Sequence, residues 1–404
     1  MKSPVLSEFP LETIHSEARI RGDYLEKSHL PDVTSQVADG IFSEMINLLY
    51  LRKVGSHGKG RSGLTGRDFI RRMETRARYT GRAFNGEVRP KCYFLDDPAV
   101  TSFPPDKSVI LLISGSGETE SVVQKSEGCV KLGIDTIVFS YEPIRSVPTR
   151  CSTVYHHIPR KIDASVRGTL DTMGNSFETA AMISGWSLVE GLVDYHENKN
   201  LDHASEVCLA YTRDCIEYVN LLGRKLSGMK KELVELGMML GTTRDIRMAA
   251  AGDDAAALQM GACRLAHTGR TGFTATIDFI SSDDFGPPGY SDIQSCDGVI
   301  LSSSELGSSH TIAIGREATR VGAKLCLIAS DKLTNELLKE KLQKYEIKKP
   351  EILLRLPYSL EGSEERFFDL GARHVLEYEA AGVFAYLGLT PEEVEATHLQ
   401  KELE

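Results

Sequence analysis

The sequence contains one pattern twice: a buried strand, a loop of small hydroxyl residues, a helix and a second strand. The two copies cover residues 109–140 and 299–330. Internal similarity at a fixed spacing indicates a repeated structural unit. A strand, a loop, a helix and a strand in this order predict an α/β fold with mainly parallel sheets.

Each copy is detailed enough to predict element boundaries. The spacing is 190 residues at the loops (Val109 against Val299) and 189 at the later glycines (Gly133 against Gly322), which predicts a single-residue insertion. Upstream, residues 58–64 match residues 251–257, and each segment leads into a helix. The predicted helices are Val122–Leu132 and Thr311–Val321, followed by strands at Asp135–Ser140 and Lys324–Ser330.

The chain length predicts more than one domain, because 404 residues exceed what one hydrophobic core usually organises. Apolar residues at helical spacing predict a helical connection in the middle of the chain and one amphipathic helix at Val33–Leu51. We expect an N-terminal extension at 1–34, a first domain at 35–200, the connection at 201–240 and a second domain at 241–404.

Composition excludes several kinds of partner. The net charge of −10 argues against nucleic acid as a general partner. Apolar runs such as Val109–Ile113 are far shorter than a membrane span, and residues 1–14 lack the pattern of a signal peptide, so we expect no membrane partner and a cytoplasmic protein. The eight cysteines form no CxxC pair, and the sequence predicts no metal and no cofactor.

One basic stretch departs from the acidic average. Residues 51–91 contain twelve Lys or Arg and three acids. Two interpretations stay open: a solvated helix face with subunit contacts, or a funnel for an anionic small molecule.

The loop 114–121 (SGSGETES) predicts a phosphate site. Its glycines let the backbone approach a ligand, its hydroxyls donate hydrogen bonds, and the helix N-terminus that follows attracts anions. It is neither a GxxxxGK[ST] loop nor a GxGxxG loop with a ribose-binding acid, so ATP and NAD are not favoured. The alternative is a helix N-cap in which Ser or Thr pairs with Glu.

Three segments in order resemble the sugar isomerase (SIS) domain family, closest to 6-phospho-3-hexuloisomerase. They are Gly60-Arg-Ser-Gly63, Ile113-Ser-Gly-Ser-Gly-Glu-Thr119 and Met173-Gly-Asn-Ser-Phe-Glu-Thr179, and the resemblance covers residues 35–195. Residues 387–398 are similar to the tail of the same isomerases, whose final histidine reaches a neighbouring subunit's site. The resemblance implies two tandem SIS-type domains, each a three-layer α/β/α fold with a mainly parallel sheet.

The resemblance also implies aldose–ketose or ketose–ketose isomerisation of a sugar phosphate through an enediolate. Glu178 is the predicted base, and His398 and Glu118 are further catalytic candidates. Each has an ordinary alternative: a helix-surface glutamate for Glu178, a solvent-exposed histidine for His398, and a charge that favours the helix dipole for Glu118. The predicted phosphate- and substrate-binding residues are His57, Arg61, Ser62, Ser114, Ser116, Thr119 and Ser121.

The second copy and one strand depart from the family pattern. Glu305 and Leu306 stand in the second loop, and Asp369 stands where the first copy has Glu178, so the second site is expected to be degenerate. The segment Lys53–Lys59 is polar where the family has an apolar strand, and residues 81–106 form a longer link.

Two other functions stay open at this point. A non-catalytic sugar-phosphate sensor would use the same loop without Glu178 or His398. An amino-sugar phosphate isomerase or deglycase of the same fold would keep the carboxylate. Whatever the function, the resemblance implies a homodimer that assembles four SIS units, because relatives with one repeat per chain associate to cover helix faces and to bring the tail histidine across.

Overall fold

The computed structural model describes most of the chain, with gaps at several loops and at both ends. The described residues are 9–50, 52–79, 92–94, 103–104, 107–141, 153–159, 175–243, 245–251, 253–265, 276–281, 293–363, 365–390 and 393–394. His398 and residues 81–91 and 173–174 of the predicted motifs lie outside them.

Helices and strands alternate along most of the described chain. The helices are α1 Leu11–Tyr24, α2 Leu30–Ala38, α3 Ile41–Leu49, α4 Gly60–Tyr79, α5 Glu120–Leu132, α6 Asn175–Asn198, α7 Leu201–Leu226, α8 Lys230–Thr242, α9 Asp253–Leu265, α10 Ser309–Val321, α11 Asn335–Lys344 and α12 Phe368–Tyr386, with a π-helical turn at Leu25–His29 between α1 and α2. The strands are β1 Lys53–His57, β2 Cys92–Phe94, β3 Ser108–Ile113, β4 Asp135–Ser140, β5 Thr153–His157, β6 Asp245–Ala250, β7 Thr276–Ser281, β8 Gly298–Ser302, β9 Lys324–Ser330 and β10 Ile352–Leu356.

The strands form two five-stranded parallel sheets. The first has the order β2-β1-β3-β4-β5, and the second has the order β7-β6-β8-β9-β10. These orders are the same once the strands are matched along the chain. The predicted α/β fold with parallel sheets is therefore confirmed, and the shared order supports the repeat interpretation.

The chain divides into two compact units. One contains the described residues from 23 to 159 and from 175 to 216, and the other contains residues 9–22 and the described residues from 217 onward. Residues 9–22 were expected in a separate extension. In the structure, Phe9, Ile14 and Ala18 instead belong to the apolar core of the second unit, together with Leu222 and Phe384.

The predicted single-residue insertion is wrong. Val109 pairs with Asp135 in the first sheet, and Gly298 pairs with Lys324 in the second, so both partners are shifted by 189 residues. The loop before α5 shows the same shift: the Ser114 N–H donates to the Phe139 carbonyl, and the Ser303 N–H donates to the Ile328 carbonyl. Matching Val109 to Val299 followed the apolar residues, whereas the strand pairing shows that Val109 and Gly298 occupy equivalent positions in their two sheets.

The predicted helix at Val33–Leu51 is also wrong, because the segment forms two helices, α2 and α3. Gly40 lies between them with φ +79°. A residue with a side chain rarely adopts this left-handed conformation, so Gly40 permits the break that apolar periodicity alone does not reveal.

The polar strand β1 is buried despite its composition. Its residues 54–57 are buried, and it pairs with β3, whose six residues are all buried. A Cβ atom on Gly55 would lie 2.7 Å from Ile110 Cδ1 and 2.9 Å from the Phe103 ring. The Ser56 hydroxyl donates to the Gly66 carbonyl at 3.0 Å. Small residues are thus required here, which explains why β1 lacks the expected apolar run.

The second unit encloses an acidic side chain in its core. Glu379 on α12 is fully buried, and neither carboxylate oxygen has a hydrogen-bond partner among the described residues. Burial raises the pKa of Glu379 well above its ordinary value, because the charged form loses its hydration.

We therefore predict that Glu379→Gln stabilises the protein at neutral and alkaline pH. Above the unfolded pKa, the folded state keeps a proton that the unfolded state loses, so this residue makes stability fall as pH rises through the folded pKa. Glutamine does not titrate in this pH range, so the variant lacks this pH-dependent loss of stability. Melting temperatures measured from about pH 5 to about pH 8 should show a difference that grows with pH.

The matched control is Glu340→Gln, at an exposed position on α11. It should leave the pH profile close to that of the unmodified chain. Equal melting temperatures of Glu379→Gln and the unmodified chain at every pH would contradict the argument.

Candidate functional site

Parallel pairing places two loops of the first unit at the same edge of the sheet. β1 ends at His57 and β3 ends at Ile113, and the two strands are direct neighbours. The carboxyl ends of parallel strands are where open α/β sheets bind ligands. The turn 58–59 and the loop 114–119 therefore form the candidate site of this unit.

The turn into α4 requires glycine. Gly60 has φ +57°, and a Cβ atom on Gly58 would lie 2.7 Å from the Ser62 carbonyl carbon and 2.9 Å from the Gly63 nitrogen. The helix therefore begins directly against the end of β1. This close approach places Arg61 in the first turn of α4 at the edge of the sheet.

The loop before α5 is held by its own hydroxyl groups. Ser114 Oγ accepts the Gly117 N–H at 3.1 Å and lies 3.1 Å from Thr119 Oγ1, while Ser116 Oγ accepts the Glu118 N–H at 3.1 Å. Gly117 has φ +67°. Several hydroxyls predicted to bind phosphate thus also shape the loop.

The N-cap alternative for this loop does not match the structure. Thr119 is the N-cap residue of α5, and its side chain makes no capping hydrogen bond. The first N–H groups of α5 are therefore not satisfied by a Thr119 cap, and such groups together with the helix dipole favour a bound anion.

A buried ion pair joins α4 to α6. Arg61 Nη1 lies 3.1 Å from Glu178 Oε2, and the two side chains are 5% and 8% exposed. The preceding residue on α6, Phe177, packs against Tyr141 with a ring separation of 4.8 Å, and a Cβ on Gly115 would lie 3.5 Å from the Phe177 ring. The start of α6 thus packs against the loop 114–119.

A cleft of about 400 Å³ opens at this edge of the sheet. His57 and Ser121, both predicted site residues, line it together with Lys59 and Arg67. Lys59 and Arg67 are exposed. Together they give the wall of the cleft a positive charge, as the funnel interpretation of the basic stretch expects.

The structure places the remaining predicted residues as follows. Ser62 is half-buried in the first turn of α4, and Glu118 and Ser116 are exposed on the loop. His398 lies outside the described residues. Lys59 and Arg67 were not among the predicted site residues; their signal was the excess of positive charge in residues 51–91.

Among the described residues, no helix is both long enough and apolar enough to span a membrane.

Two solved structures share this fold over most of the chain. The C-terminal domain of glucosamine-fructose-6-phosphate aminotransferase from Francisella tularensis matches with a TM-score of 0.58 and 12% identity, over 94% of this chain and 95% of that one. Tagatose-6-phosphate ketose/aldose isomerase from Escherichia coli matches with a TM-score of 0.60 and 14% identity, over 92% of each chain.

The sequence matches no family model and no curated protein. At identities this low, the structural likeness shows a common fold alone, which agrees with the predicted α/β fold with parallel sheets.

We predict that Gly58→Ala distorts the site. The added methyl group would meet the backbone of Ser62, which cannot move aside as a flexible side chain can, so the first turn of α4 must shift. Overpacking of this kind costs about 1–3 kcal/mol. Urea unfolding should show the loss. The control is Gly128→Ala on α5, where no atom lies within 4 Å of the added Cβ and helix propensity predicts a small gain.

We also predict strong coupling between Arg61 and Glu178. Arg61→Met leaves a buried carboxylate without this cation and should cost about 3–5 kcal/mol, whereas Arg61→Met combined with Glu178→Met should cost much less than the sum of the single changes. A double-mutant cycle in urea measures the coupling. Additive costs would show that the two side chains do not stabilise each other.

Proposed function

We propose that the chain is a sugar-phosphate isomerase that acts through an enediolate, with a specificity near that of 6-phospho-3-hexuloisomerase. One observation carries the proposal: the buried carboxylate of Glu178, paired with Arg61, lies on the helix that packs against the loop 114–119. A proton-accepting group and an anion-binding loop are the two parts that this reaction needs. Both structural matches above carry sugar phosphates in their names, which supports the substrate class.

The phosphate is proposed to bind at the start of α5. The N–H groups of this first turn and the hydroxyls of Ser114, Ser116, Thr119 and Ser121 would hold it, with Ser62 from α4. Ser121 lines the cleft, and so do Lys59, Arg67 and His57. The positive charges of Lys59 and Arg67 attract an anion toward the N-terminus of α5, where the helix dipole also favours it.

The proton transfers are assigned to carboxylates and a histidine. Glu178 would take the proton from the carbon next to the carbonyl, forming the enediolate, and return it to the neighbouring carbon. Arg61 is a positioning residue, since its guanidinium fixes the carboxylate at 3.1 Å. His398 is proposed to move the proton between the two oxygens, and Glu118 to act as a second carboxylate near the phosphate loop.

The assembly is part of the same proposal. The chain would contain two SIS-type repeats, which the shared strand order of the two sheets supports. We propose a homodimer, in which the tail of one repeat brings His398 to the phosphate loop of another.

We predict that Glu178→Gln removes most turnover and leaves binding of the sugar phosphate nearly intact. The amide keeps the shape of the side chain but cannot accept a proton. The measurement is exchange of the substrate C–H proton in D₂O, followed by NMR with a panel of ketose phosphates and amino-sugar phosphates. His398→Ala should lower the rate by about 10²- to 10⁴-fold. Glu127→Gln, at an exposed position on α5, is the matched control and should keep full turnover.

The same experiment separates the alternatives. A sugar phosphate that binds without any proton exchange in the unmodified chain would favour the sensor. Turnover confined to amino-sugar phosphates would favour the amino-sugar isomerase or deglycase. Full turnover by Glu178→Gln would overturn the assignment of the base.

A further inference from the structure

The second unit has a polar cleft of its own at the carboxyl ends of β6 and β8. It has a volume of about 210 Å³ and is lined by Asp254, Ser303, Ser304, Glu305, Ser308 and Arg366, among others. We propose that this cleft binds an unphosphorylated sugar, through carboxylates and hydroxyls rather than through an anion site. The proposal is independent of the isomerase function assigned to the first unit.

The loop of this cleft keeps the backbone shape of the loop in the first unit. Ser303 Oγ accepts the Leu306 N–H at 3.0 Å, as Ser114 Oγ accepts the Gly117 N–H. Leu306 has φ +50°, the left-handed conformation that Gly117 adopts at the matching position. A buried leucine in this conformation shows that the fold maintains the loop although the glycine is gone.

The second site has an acid where the first has Arg61, and it keeps an acid, Asp369, where the first has Glu178. Asp254 is the second residue of α9, as Arg61 is the second residue of α4. The cation comes instead from Arg366, which forms an ion pair with Asp254 and has its Nε 3.6 Å from Asp369 Oδ1. Of the residues that line the second cleft, two are acids and one is a base. A phosphate in this cleft would therefore lie near two carboxylates. The guanidinium of Arg366 is already engaged by Asp254 and Asp369.

The helix N-terminus in this cleft is also capped from within. Ser308 is the N-cap residue of α10, and its Oγ accepts the Thr311 N–H at 3.1 Å and lies 2.8 Å from Thr311 Oγ1. Thr119 holds the matching position before α5, and its side chain makes no capping hydrogen bond. A capped N-terminus has fewer N–H groups to offer an anion.

Sugar hydroxyls suit the carboxylates, serine hydroxyls and guanidinium that line this cleft. A hydroxyl can donate to a carboxylate and accept from serine or arginine, and hydrogen bonds to charged groups are stronger than those between neutral groups. Asp254 is 5% exposed, so its carboxylate is held in a sheltered position. The volume corresponds to about seven water molecules in the liquid, which is monosaccharide-sized rather than nucleotide-sized.

The test uses the full chain and three probes: D-fructose, D-glucosamine and inorganic phosphate. Ligand-observed NMR should show millimolar binding of at least one sugar. Asp254→Asn and Glu305→Gln should each weaken it by about ten- to hundred-fold, because each removes a charged hydrogen-bond acceptor. Glu305 is exposed on its loop, so its variant should fold even if Asp254→Asn does not.

The matched control lies in the first cleft. Arg67→Gln should leave sugar binding unchanged and weaken phosphate binding. The proposal is overturned if no sugar binds, if phosphate displaces the sugar, or if Arg67→Gln rather than Asp254→Asn and Glu305→Gln abolishes sugar binding. None of these outcomes depends on whether the first unit is a catalyst, so the two proposals fail separately.

Discussion

The parallel pairing of β1, which has Gly55 and Ser56 at its centre, with the fully buried strand β3 is the constraint on which the first site depends. β1 fits beside β3 because Gly55 leaves room for Ile110 and Phe103. Only when these strands are in register do the turn at Gly58 and the loop at Ser114 reach the same edge of the sheet. A larger residue at Gly55 would separate the strands and, with them, the turn 58–59 and the loop 114–119 of the candidate site.

The ion pair of Arg61 and Glu178 places a buried carboxylate on the helix that packs against the loop 114–119. A buried carboxylate is tolerated when a cation lies close to it, and here the cation comes from a different helix. The second unit has acids at both matching positions, and Arg366 supplies the cation that contacts Asp254 and Asp369. The same backbone framework therefore supports a first cleft whose wall is positively charged and a second cleft whose lining has more carboxylates than cations.

The sequence by itself determined the order of strand, loop, helix and strand in each copy, with close bounds for the helix and the second strand. Residues 122–132 and 135–140 were predicted as a helix and a strand, and the structure has α5 at Glu120–Leu132 and β4 at Asp135–Ser140. This succeeds because apolar periodicity and a left-handed glycine, Gly133 with φ +72°, are local signals. The pairing of Arg61 with Glu178 is different, because the two residues are far apart in the chain and no local pattern specifies their contact.

Tertiary structure decided the remaining features. The burial of polar β1 and the hydrogen bonds that set the 189-residue match of the two loops both depend on contacts between segments that are distant in the chain. The cap on α10 and its absence from the Thr119 side chain depend on how each loop closes. The sequence determined which residues could carry charge and form hydrogen bonds at each site; only the folded chain decided which of them meet, because contact depends on distance in space and not on spacing in the chain.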